Sequence, residues 1–300
     1  MDIKEIKSID IVSYTLMNSS VSAVWSFIYA IFTLILALLG FVVSPDPVAG
    51  VMIGVYTAMI IASPVLSFII GIGQSFLTAL LYNLFVPRIG GIKLGIVELS
   101  EIRTIPVVPF ALMTSAISAV ITLLIALIIV PLFAVYAGVF MQVLSSIPQS
   151  NATASIPTTG LGAMGVIGSI ILIIAAPIVV FVLAFIMDAI LAVIYNIIAP
   201  RVGGIKLEFE ALGEGIYEIL KIPPIPLALL IGCISAVIGL IIGLLVLVIT
   251  ALSGSVIIGV IILIAFIIGG FIAGFLIYAI LALIYNFLRP KIGGVKIELD

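Results

Sequence analysis

Histidine is absent from this 300-residue sequence, and cysteine occurs once, at Cys233. Without histidine there is no Ser-His or Cys-His nucleophile, no histidine general base and no histidine-bearing zinc site. A single cysteine excludes an internal disulfide and a multi-cysteine metal site. No glycine-rich phosphate loop of the Walker type is present, so nothing indicates a nucleotide-driven motor. The sequence therefore predicts a protein that is not an enzyme and that uses no metal and no cofactor.

Charge is also scarce, because only 8% of the residues are Asp, Glu, Lys or Arg, whereas 65% are hydrophobic. Soluble domains carry about 25% charged residues. Eleven basic residues and a net charge of −2 argue against nucleic-acid binding. This composition predicts an integral membrane protein whose first partner is the lipid of the bilayer.

Six apolar runs are each longer than the roughly 20 residues that cross a bilayer as a helix. They cover residues 14–43, 50–86, 107–139, 161–199, 224–252 and 256–288. All eleven basic residues lie in the N-terminal arm, in the second or fourth connection between runs, or after the last run. By the positive-inside rule we expect a multi-pass protein of the cell membrane with both termini in the cytoplasm. Asn151 would then lie outside, where it begins an Asn-Ala-Thr glycosylation sequon.

Two motifs occur three times. The second, fourth and sixth runs end in Tyr-Asn, then Pro with a basic residue, then Gly-Gly, with copies that begin at Tyr82, Tyr195 and Tyr285. A Glu-Ile arm precedes the first, third and fifth runs, at Glu5, Glu101 and Glu218. We therefore expect three repeats, 1–98, 99–211 and 212–300, which insert in the same orientation because each has two spans. The predicted fold is an all-α membrane protein of six transmembrane helices with pseudo-threefold symmetry about the membrane normal and short cytoplasmic β arms.

The residues after each Gly-Gly alternate between apolar and charged, as in Ile205-Lys206-Leu207-Glu208. This alternation predicts strands, which would pair with the next arm, while the first arm would pair with the last tail. Such pairing would close a six-stranded cytoplasmic cap, although the isoleucine spacing of the arms fits a short helix as well. Within the motif we expect tyrosine to lie at the lipid headgroups, proline to end the helix, and Gly-Gly to allow a turn with positive φ.

One repeat, with its arm, two spans and Tyr-Asn…Gly-Gly ending, resembles members of a bacterial transmembrane family, domain-of-unknown-function family 3566. The resemblance rests on endings such as Leu81-Tyr82-Asn83 followed by Gly90-Gly91-Ile92, whereas the Pro87-Arg88 element departs from the family pattern. It implies that the chain is a triplicated relative with the fold and the membrane location of that family. It implies no activity.

Asp188 is the acidic residue that lies clearly inside a span, seven residues before Tyr195. The positions seven residues before the other two motif tyrosines are Ser75 and Tyr278, so all three repeats are polar at this level. This polar layer could be a proton or cation site on the pseudo-threefold axis. It could instead be a layer of hydrogen bonds between helices, from Asp188 to Tyr278 and Ser75.

The motif asparagines, Asn83, Asn196 and Asn286, leave two alternatives open. Three amides around an axis could form a polar constriction. An asparagine near a helix end can instead cap carbonyls or brace a turn.

The charged residues of the two motifs have predicted roles at the membrane surface. The basic residues that follow the motif prolines are expected to contact lipid phosphate, and they are Arg88, Arg201 and Lys291. The arm glutamates either surround a cytoplasmic mouth or form salt bridges with basic residues nearby in the sequence. The candidate partners are Lys7, Arg103 and Lys221.

Two functions remain open. The first is a structural or assembly membrane protein that interacts with lipids or with an unidentified protein, favoured by the scarcity of charge within the spans. The second is a channel or carrier for protons, cations or a small solute, favoured by the polar layer that contains Asp188. The oligomeric state is not set by the sequence.

Overall fold

The computed structural model describes residues 2–44, 47–146 and 158–300, and within them six long helices alternate with short strands. The helices are α1 (Ile11–Val43), α2 (Pro47–Ile89), α3 (Val107–Ser146), α4 (Thr158–Val202), α5 (Pro224–Leu252) and α6 (Val256–Ile292). The strands are β1 (Asp2–Ile9), β2 (Lys93–Val97), β3 (Glu101–Thr104), β4 (Ile205–Lys206), β5 (Glu208–Gly213), β6 (Ile216–Lys221) and β7 (Lys296–Leu299). The sequon at Asn151 lies outside the described residues.

All six helices of the described ranges are long and apolar enough to cross a bilayer, with mean hydropathies from 2.1 to 3.2. Large apolar side chains remain exposed along them, for example Leu245 and Phe133. Lipid tails solvate such side chains, and a helix satisfies its own backbone groups in hydrocarbon. The six predicted spans and the multi-pass membrane class are confirmed.

The chain divides into two compact units, Met1–Phe110 with Ile190–Asp300, and Ala111–Ala189. The first unit holds all of the strands in the described ranges, together with α1, α2, α5, α6 and the last residues of α4. The second unit holds most of α3 and α4.

In the first unit the strands form one antiparallel sheet in the order β4-β3-β2-β1-β7-β6-β5. Its first and last strands, β4 and β5, belong to one chain segment and are separated only by Leu207. The N–H group of Leu207 still bonds the Ser100 carbonyl at 2.8 Å, and from Glu208 onward the segment pairs with β6. Six chain segments therefore pair in a ring, and the pairing of the first arm with the last tail is present. The structure has seven strands instead of the predicted six because the tail of the second repeat pairs with β3 before Leu207 and with β6 after it.

The main buried core of the first unit lies between this sheet and the ends of the helices. Ile96 and Ile102 of the sheet pack in one cluster with Ile198 of α4 and Leu230 of α5. Burial of each such side chain stabilises the fold by about 1.5–3 kcal/mol. The core therefore fixes the strands, which carry the arm motif, to the helix ends, which carry the Tyr-Asn motif.

The expectation that proline ends the helices is wrong. The helices α2, α4 and α6 each continue two residues beyond the motif proline, which lies in the last turn. They end instead at the first motif glycine, with φ of 83° at Gly90, 106° at Gly203 and 82° at Gly293. Glycine adopts this left-handed region without a steric penalty, so the predicted Gly-Gly turn is confirmed.

Candidate functional site

The motif tyrosines of the first unit bind the arm of their own repeat. The hydroxyl of Tyr82 donates to the Ile6 carbonyl at 2.8 Å and accepts from the Ile92 N–H at 3.0 Å. The same pair of bonds links Tyr195 to Ile102 and Ile205, and Tyr285 to Ile219 and Val295. The three side chains are only 2%, 4% and 7% exposed. The expectation that they lie among lipid headgroups is therefore wrong, because each hydroxyl joins an arm to a tail inside the protein.

The motif asparagines bind the same arms three residues further on. The amide of Asn83 accepts from the N–H and donates to the carbonyl of Ile9, both at 2.8 Å. The equivalent pairs are Asn196 with Ile105, and Asn286 with Ile222. Each amide thus binds both backbone groups of one residue, as a neighbouring strand would. This agrees with the prediction that these asparagines brace the chain near a helix end.

The arm glutamates accept hydrogen bonds from the second motif glycine. The Gly91 N–H donates to the Glu5 carboxylate at 2.6 Å, and the Gly204 N–H donates to the Glu101 carboxylate at 2.8 Å. The third repeat has the same bond from Gly294 to Glu218, at 2.9 Å. The backbone hydrogen bond, assisted by the nearby cation, lowers the pKa of Glu5 and of Glu101 below the usual 4.5. Both carboxylates are therefore held in their charged form.

The second motif glycine has no room for a side chain. A Cβ atom on Gly91 would overlap the Ile6 carbonyl oxygen, and one on Gly204 would overlap that of Ile102. The arm strand can approach the tail this closely only because glycine has no side chain. We call the glutamate, tyrosine, asparagine and second glycine of one repeat a Tyr-Asn clamp. The three clamps are Glu5, Tyr82, Asn83 and Gly91; Glu101, Tyr195, Asn196 and Gly204; and Glu218, Tyr285, Asn286 and Gly294.

The charged partners of the clamp glutamates agree with the salt-bridge interpretation in two repeats. Lys7 lies 3.0 Å from Glu5, and Arg103 lies 3.2 Å from Glu101. In the third repeat the predicted partner is wrong, because Arg289 contacts Glu218 at 3.1 Å, while Lys221 pairs with Glu208. The residue two positions after Glu218 is a leucine, so the cation comes from α6 instead.

The remaining cations of the motif are exposed at the helix ends. Arg88 and Arg201 each donate to the carbonyl four residues earlier, at 2.5 and 2.6 Å. The Lys291 ammonium lies 3.4 Å from the centre of the Phe287 ring, also four residues earlier. All three therefore lie over the last turn of their helices, where the partial negative charge of the helix end favours a cation.

The polar layer is bonded within individual helix hairpins. In the first unit, buried Ser75 accepts a hydrogen bond from Asn18 at 2.6 Å. In the second unit, Asp188 accepts one from Thr114, also at 2.6 Å. Asn18 and Thr114 each lie 13 residues after their arm glutamate, so the two bonds join equivalent positions of two repeats. Both are hydrogen bonds between helices, with partners that lie outside the predicted layer.

The third member of the layer, Tyr278, lines a groove of about 550 Å³ in the first unit. The groove runs along α1 from Tyr14 to Ser26, and Tyr278 to Tyr285 of α6 also line it. Asn18 and Trp25 also line it, so the level of the polar layer is reached from this groove. No charged residue is among the side chains that line it.

The sequence analysis did not predict the arm as the partner of the Tyr-Asn motif, because it placed the tyrosines at the lipid headgroups and the asparagines at a constriction or a helix end. The signal available in the sequence was that the two motifs always occur together, one at each end of a repeat. The sequence distance between the partners, 76 residues from Ile6 to Tyr82 and 93 from Ile102 to Tyr195, conceals the contact.

The six apolar helices of the described residues define a multi-pass membrane protein. Residues 95–211 match the family model described as a transmembrane domain of unknown function, DUF3566. This match confirms the resemblance to that family for the segment that contains the second clamp. Comparisons with curated proteins and with solved structures found no match.

Proposed function

We propose that this protein is a structural or assembly protein of the cell membrane, without enzymatic activity, which holds lipids and a protein partner at its cytoplasmic face. The observation that carries the proposal is that some motif residues are bonded inside the protein while the motif cations remain exposed. The tyrosine, asparagine and second glycine of the Tyr-Asn motif are bonded with the arm glutamate inside the clamp, and the exposed cations of that motif lie at the helix ends.

The proposal includes three parallel repeats, 1–98, 99–211 and 212–300, around a pseudo-threefold axis. Three clamps with the same bonds and a sheet that alternates between arm and tail support this arrangement. The family match over 95–211 also has nearly the bounds of the second repeat. In this proposal the sheet lies in the cytoplasm, which the positive-inside rule supports because the basic residues of the chain lie on its strands and at the adjacent helix ends.

In this proposal Arg88, Arg201 and Lys291 bind the phosphates of anionic lipids. Each cation near an anionic membrane surface contributes about 1 kcal/mol of binding. Because the three residues extend from separate helices next to a closed sheet, they would hold several lipids around the cap. The sheet itself would present its charged outer face to a protein partner.

The experiment counts lipids bound to the purified protein in native mass spectrometry, with phosphatidylglycerol and phosphatidylcholine offered in equal amounts. The variant Arg88→Gln, Arg201→Gln and Lys291→Gln should lose most of the preference for phosphatidylglycerol. A control of the same charge change, Lys4→Gln, Lys206→Gln and Lys221→Gln on the strands, should keep it. Equal losses in both variants would contradict specific binding at the helix ends.

The second candidate, a proton or cation channel, is favoured by the carboxylate of Asp188 within a span and bonded to Thr114. It is tested by ion flux into proteoliposomes, with the wild type beside Asp188→Asn. Flux that is lost in the variant would support conduction and reduce the assembly role to a secondary one. No flux in either protein, with both folded, would leave Asp188 as a brace between helices.

A further inference from the structure

The first and the last repeat meet along a seam that no turn of the chain connects. Strands β1 and β7 pair there, and the Ser8 hydroxyl donates to the Glu298 carboxylate at 2.7 Å across 290 positions of sequence. The other strand pairs that join two repeats, β2 with β3 and β5 with β6, are hairpins with short turns. Non-covalent contacts alone therefore hold the ring of strands closed at this seam.

Two cavities lie along the seam. The first is the groove of about 550 Å³ between α1 and α6, and the second, of about 590 Å³, is lined by residues of β1, β7 and the start of α1. Val295 lines the groove, and the next residue, Lys296, lines the second cavity. On α1, Tyr14 lines the groove and Val12 lines the second cavity. The two cavities therefore adjoin at Ser13 and Lys296.

Two hydrogen bonds cross the seam at this point. The Asp10 N–H donates to the Lys296 carbonyl at 3.0 Å, and the Lys296 N–H donates to the Ser13 hydroxyl at 3.1 Å. Both backbone groups of Lys296 are thus bonded to the start of α1. These bonds hold the tail against the helix between the two cavities.

The other two repeats cannot make these bonds. Counted from the arm glutamates, the positions equivalent to Asp10 and Ser13 are all prolines, and they are Pro106, Pro109, Pro223 and Pro226. Proline has no N–H group to donate and no hydroxyl to accept. Only the first repeat therefore joins its helix start to a tail through bonds of this kind.

The space that forms the groove is filled at the seam between the second and third repeats. Ile198 of α4 packs there in one cluster with Leu230 and Ile234 of α5. The residues of α1 equivalent to Leu230 and Ile234 are Met17 and Val21, which line the groove instead. The seam between the last and the first repeat is thus the more open of the two.

We propose that the contact of Lys296 with Asp10 and Ser13 is a gate between the two cavities. When its two bonds break, the cavities form one passage for water from the second cavity to Trp25, which lines the groove. Water in this passage finds hydrogen-bond partners along α1, because Asn18 and Ser22 also line the groove. The inference does not depend on the helix-end cations, so the gate and anionic-lipid binding can fail separately.

The chain contains a single tryptophan, so its fluorescence reports on the groove directly. The experiment measures quenching of Trp25 by acrylamide, a water-soluble quencher, with the protein in nanodiscs of phosphatidylcholine. Ser13→Ala removes the acceptor of the Lys296 N–H, and we expect a Stern–Volmer constant about twofold higher or more, as for the loss of one hydrogen bond. The matched control is Ser253→Ala, an exposed serine that lines neither cavity, which should be quenched as the wild type is.

A disulfide distinguishes an opened gate from a loosened fold. Ser8 and Glu298 lie opposite each other across the seam, so Ser8→Cys and Glu298→Cys, in a chain with Cys233→Ala, allow a disulfide to form. Added to Ser13→Ala, this disulfide should return the quenching to the wild-type level, whereas the reduced form of the same protein should keep the increase. Unchanged quenching in Ser13→Ala, or an increase that the disulfide does not reverse, would overturn the proposal.

Discussion

The clamps at the helix ends make the same hydrogen bonds in all three repeats, whereas the hydrogen bonds inside the helix hairpins differ from repeat to repeat. The three Tyr-Asn clamps make the same hydrogen bonds: each tyrosine and asparagine binds the same backbone groups of its arm, and each arm glutamate accepts from the N–H of the second motif glycine. At the level of the polar layer the repeats differ: one hairpin joins Asn18 to Ser75 and another joins Thr114 to Asp188. The third repeat has the apolar Ile231 where the others have the donor.

The difference follows from the backbone hydrogen-bonding groups that need partners in each region. Backbone groups of a partly buried strand require partners at fixed positions, so the clamp tolerates few residue types. The helices of a hairpin already satisfy their own backbone groups, so many apolar residues can pack equally well between them. Helices α5 and α6, for instance, pack through glycine, where a Cβ on Gly270 would lie 2.9 Å from the Ser235 carbonyl oxygen.

We expect the largest loss of stability when a side chain is added to the second glycine of a clamp. Gly204→Ala should unfold or severely destabilise the protein, by about 3 kcal/mol or more, because its Cβ would overlap the Ile102 carbonyl. Gly73→Ala is the matched control, since nothing lies within 4 Å of its Cβ position in α2. Thermal unfolding in detergent measures both, and an equal change in the two would show that close approach of the arm is not required.

The next effect isolates one hydroxyl of a clamp. Tyr195→Phe leaves the Ile102 carbonyl and the Ile205 N–H without a partner, which should lower the free energy of unfolding by about 1–3 kcal/mol. The exposed Tyr136→Phe should change it by less than about 0.5 kcal/mol. Chemical denaturation in mixed micelles measures the difference. If the two variants were equally stable, the clamp hydroxyl would contribute nothing beyond the packing of its ring.

A smaller effect concerns the charge of the clamp glutamates. The pKa of Glu5 and of Glu101 is lowered from 4.5, so their stabilisation is present above that pH and is lost as the pH falls through the folded-state value. We expect the unfolding temperature to fall as the pH is lowered from about 6 to about 3. The double variant Glu5→Gln and Glu101→Gln should flatten this slope, whereas Glu214→Gln in the exposed β5–β6 turn should not. A slope that is identical in all three proteins would contradict a charged clamp.

The smallest expected effect lies in the hairpin interior, at Thr15 of α1. Its hydroxyl is the one buried side-chain polar atom of the described residues without a hydrogen-bond partner. Thr15→Val should therefore be neutral or stabilise the protein by up to about 1 kcal/mol, because no bond is lost. The exposed Thr57→Val in α2 serves as the control and should give no gain. A clear loss of stability in Thr15→Val alone would indicate that this hydroxyl has a partner such as a bound lipid.

Much of the fold was predictable because it depends on local patterns. Runs of apolar residues longer than the bilayer thickness define the spans, and alternation after Gly-Gly predicts the strands. The positive φ at Gly90, Gly203 and Gly293 also follows from residue type. These features require no knowledge of which distant residues meet.

The clamps were harder to predict because tyrosine suits two environments. In sequence, a tyrosine at the end of a membrane helix is typical of an interfacial anchor, whereas Tyr82 is buried between an arm and a tail. The cation that contacts the third clamp was also hard to predict from the sequence. Leu220 follows Glu218 where the other repeats have a basic residue, and only the packing of α6 beside β6 brings Arg289 to the carboxylate.

The sequence by itself determined the membrane class, the number of spans, the recurrence of the motifs and the strands that follow them, because each depends on the residues of one segment and on the solvent around it. Only the tertiary structure decided what the motifs bind. Hydrogen bonds from Tyr82 and Asn83 to β1, from Gly91 to Glu5 and from Arg289 to Glu218 join residues 71 to 86 positions apart. Contacts at such separations form only when the ring of strands closes and the core beneath it packs.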